Sequence, residues 1–577
     1  MPSLLVKKWR RPAATWAFTA ALGCVTSACG GDPRAAAPAP SARPDDPFAL
    51  AQPDALATPC TFDVASGVMT VTVASGETAL ILRRSTDSMI TQNGEVCDNP
   101  ARAANVKSVR ITADSGDSTV AVSYVNGVFA MGSATSTGSG ITVDMGGSNG
   151  NDVFQLVGTG NADTVTMGSS GIGANTDTVA DITFIHHQPD SFSLSLGAGN
   201  DTFTADGGYG TGATYAGGKP LVVYGGSGKD TFDEGVGITA NEELHGDDDV
   251  DTVTFAKRLQ AVTVTLGGAN GDDGGTNESD DIVDAEILIG GAGDDTLTAA
   301  AGVAVTLKGG AGNDVLTGDS GDDVLNGEGG NDTLAGGDGA DILNGGDGND
   351  TFDEGTARNG ADVFNGGAGV DTVDYSNRTA NVGVKVTMDG LLANDGEAGT
   401  EGDNVKADVE NAIGTKNADL ITGNSLANRI EGGRGSDQLN GGDGDDVFYE
   451  GADLVNGDVD SDVVTGGKGI DTVDYSGRTA PLTIKLDVTA DSGDRSVTPV
   501  EGDSLDCENA TGGSGVNTMT GNAGPNWLFG GPSNDAISGG AGDDTLDGGG
   551  GDDALDGGSG ADICFNDGAG QRLECEL

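Results

Sequence analysis

The sequence predicts an all-β protein that folds as a solenoid, and three features lead to this prediction. Five consecutive nonapeptides from Gly309 to Asp353 keep Gly at the first and fourth positions and Asp at the sixth. The seventh to ninth residues of each unit favour β-structure, and only the eighth, a Leu or Phe, needs an apolar environment. A nine-residue unit cannot bury that side chain alone, whereas units stacked about 4.8 Å apart can bury it between them.

The composition excludes some classes of function. The chain has 577 residues, with 28 Lys and Arg against 90 Asp and Glu, so its formal net charge is −62. Such a charge repels phosphate backbones, and we expect no nucleic-acid partner. A hydrophobic content of 36% with a high net charge is also typical of disordered chains. Disorder does not require Gly and Asp at constant phase, so the periodicity favours a folded solenoid.

The first 28 residues resemble an export signal. A basic head precedes an uncharged, moderately apolar stretch that is too short and too weakly hydrophobic for a membrane span. The small residues before Cys29 resemble a bacterial lipobox, so we expect a lipid on Cys29. Cys24 is a second candidate, and ordinary cleavage after Ala28 would leave Cys29 unmodified. Residues 29–58 form an Ala/Pro-rich tether. We expect an exported protein, extracellular or at the cell surface, that meets the membrane only through a lipid anchor.

The seven cysteines fit an oxidising compartment. Cys60 and Cys97 flank alternating stretches, and we expect a disulfide between them and a second one between Cys564 and Cys575. Cys507 has no obvious partner. Three His and the absence of a C-x-x-C motif argue against a zinc site.

The nonapeptides also divide the chain. Isolated copies lie at 225–233, 290–298, 366–374 and 466–474, with degenerate ones at 147–155 and 196–204. The predicted organisation after the tether is an N-terminal β domain at 59–145, an irregular β-solenoid at 146–308, array 1 at 309–374, a spacer module at 375–413, array 2 at 414–474, a spacer module at 475–511, and array 3 with a C-terminal cap at 512–577.

Each conserved position of the nonapeptide has a physical purpose. Glycines permit a tight turn whose carbonyl oxygens converge, and the Asp adds an anionic oxygen to them. Carboxylate and carbonyl oxygens in an adaptable loop suit Ca²⁺ better than Mg²⁺. The competing interpretation is that these loops are simply solvated turns, but turns do not need Asp at a constant position. The sequence therefore predicts several calcium sites.

The pattern GGxGxDxUx resembles the RTX, or hemolysin-type calcium-binding, repeat. The resemblance implies a parallel β-roll with two nonapeptides per coil and Ca²⁺ between stacked loops. The carboxylate ligands that it implies are Asp314, Asp323, Asp332, Asp341, Asp350, Asp437, Asp446, Asp535, Asp544, Asp553 and Asp562. The carbonyl ligands that it implies include Gly309, Gly312, Gly318, Gly321, Gly327, Gly330, Gly336, Gly339, Gly345 and Gly348. Asn428, Asn517 and Asn526 replace the Asp and are weaker candidates because they carry no charge.

A longer repeat overlies the short one. Asp371–Arg378 recurs as Asp471–Arg478 and loosely as Asp251–Arg258, each followed by an alternating strand and an acidic loop. A Glu follows each loop, at 286, 410 and 508. This predicts one module used three times, with hairpin-like excursions between roll segments. The acidic loops of the second module, 395–397 and 401–403, could bind further calcium, but we expect them to be solvated surface.

The sequence contains no recognisable catalytic motif. H-E-x-x-H is absent, and the adjacent His186 and His187 would face opposite sides of a strand. Gly146–Gly150 matches G-x-S-x-G formally but belongs to a degenerate repeat loop. We therefore expect a non-enzymatic, calcium-folded scaffold, structural or adhesive, whose partners are calcium ions and cell-surface or matrix polymers. The alternative is a secreted hydrolase or lyase with an unrecognised active site in 146–308.

Overall fold

The computed structural model describes most of the chain after residue 220 and separate strands before it. The described residues are 60–63, 68–73, 78–83, 90–92, 95–96, 108–113, 119–123, 140–144, 153–158, 161, 163–168, 171–173, 182–184, 191–205, 221–236, 242–267, 273–275, 278–300, 302–357, 359–391, 394–397, 401–452, 460–497, 501–565 and 572–575. They all belong to one compact unit within Gln52–Leu577. The predicted signal and tether, Cys24, Cys29, Cys97, His186, His187 and Gly146–Gly150 lie outside the described residues.

The described residues form β-strands and no helix, which confirms the predicted all-β class. Among them, therefore, no apolar helix is available to cross a membrane. The strands up to residue 204 are β1 Thr61–Asp63, β2 Val68–Val73, β3 Thr78–Arg83, β4 Ile90–Gln92, β5 Glu95–Val96, β6 Ser108–Ala113, β7 Thr119–Ser123, β8 Gly140–Asp144, β9 Val153–Val157, β10 Thr164–Gly168, β11 Gly171–Gly173, β12 Ile182–Phe184, β13 Ser191–Ala198 and β14 Thr202–Thr204.

Strands of three and six residues dominate the next part of the chain. They are β15 Leu221–Ser227, β16 Thr231–Asp233, β17 Glu242–Asp248, β18 Thr252–Thr254, β19 Val262–Thr265, β20 Gly274–Gly275, β21 Asp281–Ile282, β22 Ile287–Ile289, β23 Thr296–Thr298, β24 Thr306–Ala311, β25 Val315–Thr317, β26 Val324–Gly329, β27 Thr333–Ala335, β28 Ile342–Asp347, β29 Thr351–Asp353, β30 Val363–Ala368, β31 Thr372–Asp374, β32 Val384–Thr387, β33 Gly396–Glu397, β34 Asn404–Val405 and β35 Asn411–Ile413.

The same pattern continues to the end of the described chain. The last strands are β36 Leu420–Thr422, β37 Arg429–Glu431, β38 Gln438–Asp443, β39 Val447–Tyr449, β40 Val463–Lys468, β41 Thr472–Asp474, β42 Leu482–Lys485, β43 Gly493–Asp494, β44 Ser504–Asp506, β45 Asn509–Thr511, β46 Thr518–Thr520, β47 Trp527–Phe529, β48 Ala536–Ala541, β49 Thr545–Asp547, β50 Ala554–Ser559, β51 Ile563–Phe565 and β52 Arg572–Glu574.

Successive strands alternate between opposing sheets, as a solenoid requires. Sheet 1 has 16 strands in the order β1-β2-β6-β8-β12-β11-β10-β14-β16-β18-β22-β24-β26-β28-β30-β34. Sheet 2 has nine (β21-β17-β15-β13-β9-β7-β3-β4-β5), and sheet 3 has 15 (β20-β19-β23-β25-β27-β29-β31-β35-β37-β39-β41-β45-β47-β49-β51). Sheets 4 and 5 have six each, β33-β32-β36-β38-β40-β44 and β43-β42-β46-β48-β50-β52.

Coil-to-coil pairing is parallel and in register within the arrays. Leu316 in β25 pairs with Leu334 in β27, and Leu325 in β26 pairs with Leu343 in β28. Each pair is separated by 18 residues, which confirms the two-nonapeptide coil of a parallel β-roll. These four side chains are at most 1% exposed. The eighth residue of each repeat therefore builds a narrow apolar core, one side chain per strand.

At each spacer module, one sheet of the solenoid ends and another begins. The antiparallel pairs β19/β20, β32/β33 and β42/β43 begin sheets 3, 4 and 5, while β21, β34 and β44 end sheets 2, 1 and 4. The sheet on the opposite side continues through each module, by β18/β22, β31/β35 and β41/β45. The predicted hairpin-like excursions are thus the points at which one face of the solenoid is replaced.

The N-terminal strands join the same sheets as the later ones. β6 and β8 continue into sheet 1, and β7 pairs in parallel with β9 in sheet 2 across the expected boundary at residue 145. At the other end, Cys564 and Cys575 form a disulfide. Cys507 is buried and is a free thiol. The pairing of Cys60 with Cys97 stays a prediction, because Cys97 lies outside the described residues.

Candidate metal centre

The sixth-position aspartates form ladders inside the solenoid. On one side, the backbone N–H of Asp295 donates to Oδ1 of Asp314 at 2.7 Å, and that of Asp314 donates to Asp332 at 2.8 Å. The same contact repeats from Asp332 to Asp350 at 2.9 Å. A second ladder runs along the opposite side, as in the 2.8 Å contact from the Asp323 N–H to Asp341 Oδ1. Each carboxylate is therefore held by the coil that precedes it.

All eleven predicted carboxylate ligands point inward. Each is between 0% and 3% exposed, so the solvated-turn interpretation does not describe them. In nine of them the second oxygen, Oδ2, is buried without a hydrogen-bond partner: Asp314, Asp332, Asp341, Asp350, Asp437, Asp446, Asp535, Asp544 and Asp562. Asp323 differs, since its Oδ2 accepts a long contact of 3.4 Å from the Asp319 N–H. A buried anionic oxygen without a donor is costly, and a cation relieves that cost.

The first glycine of each nonapeptide marks where oxygens from two coils converge. A Cβ added to Gly327 would lie 2.2 Å from Asp332 Oδ2 and 2.6 Å from the carbonyl oxygen of Gly345 in the next coil. At Gly318 the same point lies 2.6 Å from Asp323 Oδ2 and 1.9 Å from the Gly336 oxygen. Calcium prefers oxygen ligands, both carboxylate and carbonyl, and adapts to irregular geometry. The converging donors therefore fit a hard divalent cation.

The fourth glycine of each nonapeptide allows the backbones of neighbouring coils to approach each other closely. Gly330 adopts φ 148°, and a Cβ there would lie 1.7 Å from the Gly312 oxygen of the preceding coil. Only Gly allows both that backbone conformation and that close approach. The predicted carbonyl residues at position four thus stack on one another, while those at position one face the carboxylates.

Burial raises the pKa of most of these carboxylates, so that ionising them without a counter-ion is unfavourable. Desolvation raises the pKa of Asp314 to about 7, and its neighbours Asp295 and Asp332 add to the shift. Desolvation likewise raises the pKa of Asp332 to about 6 and that of Asp437 to about 7. Hydrogen bonds from the preceding coil act in the opposite direction but do not outweigh burial. A bound cation would favour the charged form of the same groups.

Comparison with known families agrees with this chemistry. The family model of the RTX calcium-binding nonapeptide repeat matches residues 280–303, 306–334, 327–356, 353–377, 413–449, 450–473, 511–546 and 530–564. This chain carries RTX calcium-binding repeats. Calcium is accordingly the expected cation of the aspartate ladders. No curated protein matches the chain.

Three RTX turns have Asn at position six, and its amide nitrogen donates to nearby carbonyl oxygens. The Asn517 amide nitrogen donates to the carbonyl oxygens of Gly530 at 2.8 Å and of Gly513 at 3.0 Å. Gly530 is the first glycine of the next coil, equivalent to Gly345 opposite Asp332. Asn428 and Asn526 differ, because their amide nitrogens donate to the Glu410 and Glu508 carbonyls of the preceding coil. Their amide oxygens lie beside the first glycines, Gly423 and Gly521. At Asn517 an N–H group thus takes the place of a cation, and at all three turns a neutral amide replaces the carboxylate, which gives these turns a physical reason to be weaker calcium sites.

Several ladder residues lie outside the predicted ligand set. Asp201, Asp230, Asp251, Asp362, Asp371, Asp419, Asp462 and Asp471 each accept a backbone N–H from the neighbouring coil through a carboxylate oxygen, and each is at most 3% exposed. Their repeats are isolated or lack one of the glycines. The sequence signal that could have identified these residues is an Asp directly before a short run of β-favouring residues. The Glu of each long repeat ends a ladder: Glu286, Glu410 and Glu508 accept from Asp251, Asp371 and Asp471 at 2.9 Å.

The acidic loops of the spacer modules are buried, which corrects the expectation of solvated surface. Asp395 and Asp403 are 2% and 0% exposed, and the Glu401 side chain is 0% exposed. Asp395 accepts the backbone N–H groups of Thr387 at 2.7 Å and of Val405 at 3.1 Å. The loop folds back because its carboxylates supply the hydrogen bonds that the hairpin backbone lacks.

The Arg of each long repeat meets these carboxylates inside the solenoid. Arg378 contacts Glu354 at 2.6 Å and Glu401 at 2.7 Å. Arg478 contacts Glu501 at 3.0 Å and Asp460 at 3.3 Å. In the first module Arg258 contacts Glu278 at 2.9 Å. The three-fold sequence repeat therefore encodes a repeated buried ion cluster, which sequence reasoning missed.

Proposed function

We propose that this protein is an exported, non-enzymatic scaffold of the cell surface or extracellular space whose RTX β-roll is completed by calcium. The observation that carries the proposal is the set of buried Asp Oδ2 atoms without partners, several of which, such as those of Asp332 and Asp350, face a carbonyl oxygen of the next coil. A core of one apolar side chain per strand cannot offset many uncompensated buried charges. Folding and cation binding then form one equilibrium.

Calcium would supply charge neutralisation and oxygen coordination at these turns. The protein's own residues do the rest: the ladder fixes Oδ1, and the glycines bring the carbonyls close. Extracellular calcium modules bind at about 10⁻⁴–10⁻³ M, which would keep the chain unfolded before export and fold it afterwards. Far-ultraviolet circular dichroism of the full chain with calcium and after chelation tests this coupling. Equal β-content under both conditions would contradict it.

The non-enzymatic part of the proposal rests on accessibility. The described carboxylate clusters are between 0% and 5% exposed, so a polymer substrate cannot reach them. A structural or adhesive role suits a surface of exposed Asp-rich turns around a repetitive core. Calcium-dependent cell aggregation, or binding to matrix polymers, would separate adhesion from a purely structural role. Hydrolysis of a polysaccharide or peptide that depends on 146–308 would instead favour the enzyme alternative.

Lipid anchoring at Cys29 belongs to the same proposal and rests on the sequence around that residue. Incorporation of a labelled fatty acid, compared between Cys29→Ala and Cys24→Ala, would assign the position. Labelling that survives both substitutions would refute the anchor.

A further inference from the structure

The three spacer modules each enclose a carboxylate cluster that includes Glu residues from outside the RTX turns. In the second and last modules the cluster lies where an Asp ladder ends, and Asp362 belongs to both. Glu354, Asp362 and Asp403 each offer an oxygen within 4.8 Å of the other two, and all three are at most 2% exposed. The equivalent groups of three are Glu450, Glu501 and Asp503 in the last module and Glu234, Glu242 and Asp280 in the first. None of the nine is the sixth residue of a clear nonapeptide.

Part of each cluster is already used by protein donors. Tyr375 donates its hydroxyl to Asp403 Oδ2 at 3.1 Å, and Asp403 Oδ1 accepts the Asp362 N–H at 3.1 Å. In the last module Tyr475 donates to Asp503 Oδ2 at 2.6 Å. These contacts orient the carboxylates, but each brings a neutral donor and no positive charge.

Within the described part of the chain, protein groups do not balance the remaining charge. Glu354, Asp362 and Glu401 interact with the guanidinium of one described residue, Arg378, and Asp403 lies beside Glu401 and Asp362. Oδ2 of Asp362, a residue 1% exposed, is buried without a partner. The same is true of Glu450 Oε1 and Asp280 Oδ2 in residues 5% and 1% exposed. Unpartnered buried oxygens that face other carboxylates point to a missing cation.

We propose that each spacer module binds one divalent cation, with calcium as the chemically matched ion, through its buried Glu and Asp group rather than through an RTX turn. The Arg neutralises one carboxylate, and the cation balances two more. All donors are oxygens, which favours a hard ion. The site lies where one sheet ends and the next begins, so the bound ion would join the two sheets.

The tyrosine beside the cluster gives a direct readout. Terbium replaces calcium at oxygen sites and luminesces when a nearby tyrosine is excited. We expect Tyr375→Phe with Tyr475→Phe to lower tyrosine-sensitised emission while leaving the number of bound ions unchanged. The first module carries Phe255 at the equivalent position, 0% exposed, so Phe255→Tyr should add emission. None of these changes removes a carboxylate.

Ion counting on the full, calcium-saturated chain completes the test. Glu354→Gln, which changes no ladder residue, should lower the bound calcium by one ion and abolish the emission that Tyr375 sensitises. Asp332→Asn, in an RTX turn, should lower the count but keep that emission. If the Tyr and Phe255 variants leave emission unchanged and the Glu354→Gln variant keeps its calcium, protons rather than a cation balance the cluster and the proposal is wrong. Loss of calcium-coupled folding would instead be detected by chelation of the unmodified chain.

Discussion

Two glycines of the same nonapeptide provide the sharpest test of the RTX turn. In Gly327→Ala the new Cβ would lie 2.2 Å from Asp332 Oδ2, whereas in Gly329→Ala the nearest atom is the Gly310 oxygen at 3.8 Å. Neither glycine has a positive φ, so backbone strain does not separate the two variants. The difference between them isolates the space beside the carboxylate.

The expected magnitude follows from the contacts. A methyl group at 2.2 Å forces the Asp332 carboxylate away, and overpacking of this kind costs about 1–3 kcal/mol. The displaced Asp332 also loses the 2.8 Å hydrogen bond from the Asp314 N–H, which costs roughly 1.5–3 kcal/mol for a charged acceptor. The free energy of unfolding should therefore fall by roughly 2–6 kcal/mol in Gly327→Ala. Gly329→Ala should stabilise by up to about 1 kcal/mol through the unfolded chain.

Urea unfolding followed by circular dichroism, with calcium and with chelator, measures both variants. A site saturated a hundredfold above its dissociation constant contributes about 2.7 kcal/mol, so the gap between the variants should widen in calcium. Hydrogen exchange of the Asp314 amide locates the effect, since that N–H donates to Asp332. Equal stability and equal calcium response of the two variants would refute the assigned role of the first glycine.

Three further predictions follow from the same contacts. Asp332→Asn should weaken calcium binding but stabilise the calcium-free protein, because Asn517 shows that an amide can donate to the converging carbonyls. Thermal melts with calcium and with chelator measure both effects. A variant that is less stable than the unmodified chain in chelator would contradict the prediction. Metal-free protein should lose stability as pH rises from about 4 to about 7, because folding raises pKa values, such as that of Asp314 to about 7, and the folded chain then binds more protons than the unfolded one. Thermal melts in chelator should give a higher melting temperature at about pH 5 than at about pH 8, and a higher value at about pH 8 would show that this is wrong. Arg478→Leu should cost about 3–5 kcal/mol, since it leaves Glu501 and Asp460 buried without their cation, and a urea midpoint equal to that of the unmodified chain would rule this out.

The local architecture of the arrays was predictable because it depends on residues close in sequence. Position, spacing and chemistry of Asp314 and its equivalents suffice to place a carboxylate beside converging carbonyls every nine residues. The eighth-position Leu residues needed only periodicity to be assigned to the core. Degenerate repeats such as the one that contains Asp362 were not recognised in the sequence because their glycines are replaced, although the ladder of hydrogen bonds continues through them.

The buried ion clusters of the spacer modules could not be predicted from the sequence. Arg378 meets Glu354 and Glu401, which lie 24 residues before it and 23 residues after it. Nothing local indicates that an acidic Gly-rich loop will turn inward, and the usual expectation for such a loop is exposure. Burial came from the hairpin β32/β33, which folds the loop back over the end of sheet 1.

The sequence by itself determined the repeat and the oxygen chemistry of the RTX turns, because both depend on residues within one or two coils of each other. The two-nonapeptide coil was implied by the resemblance to RTX repeats, and the strand pairing confirmed it. Only the tertiary structure decided which carboxylates share a cavity, which oxygens lack a donor, and where one sheet gives way to the next. Those features depend on contacts between segments some twenty to forty residues apart, whose energies of desolvation and charge balance are absent until the chain has folded.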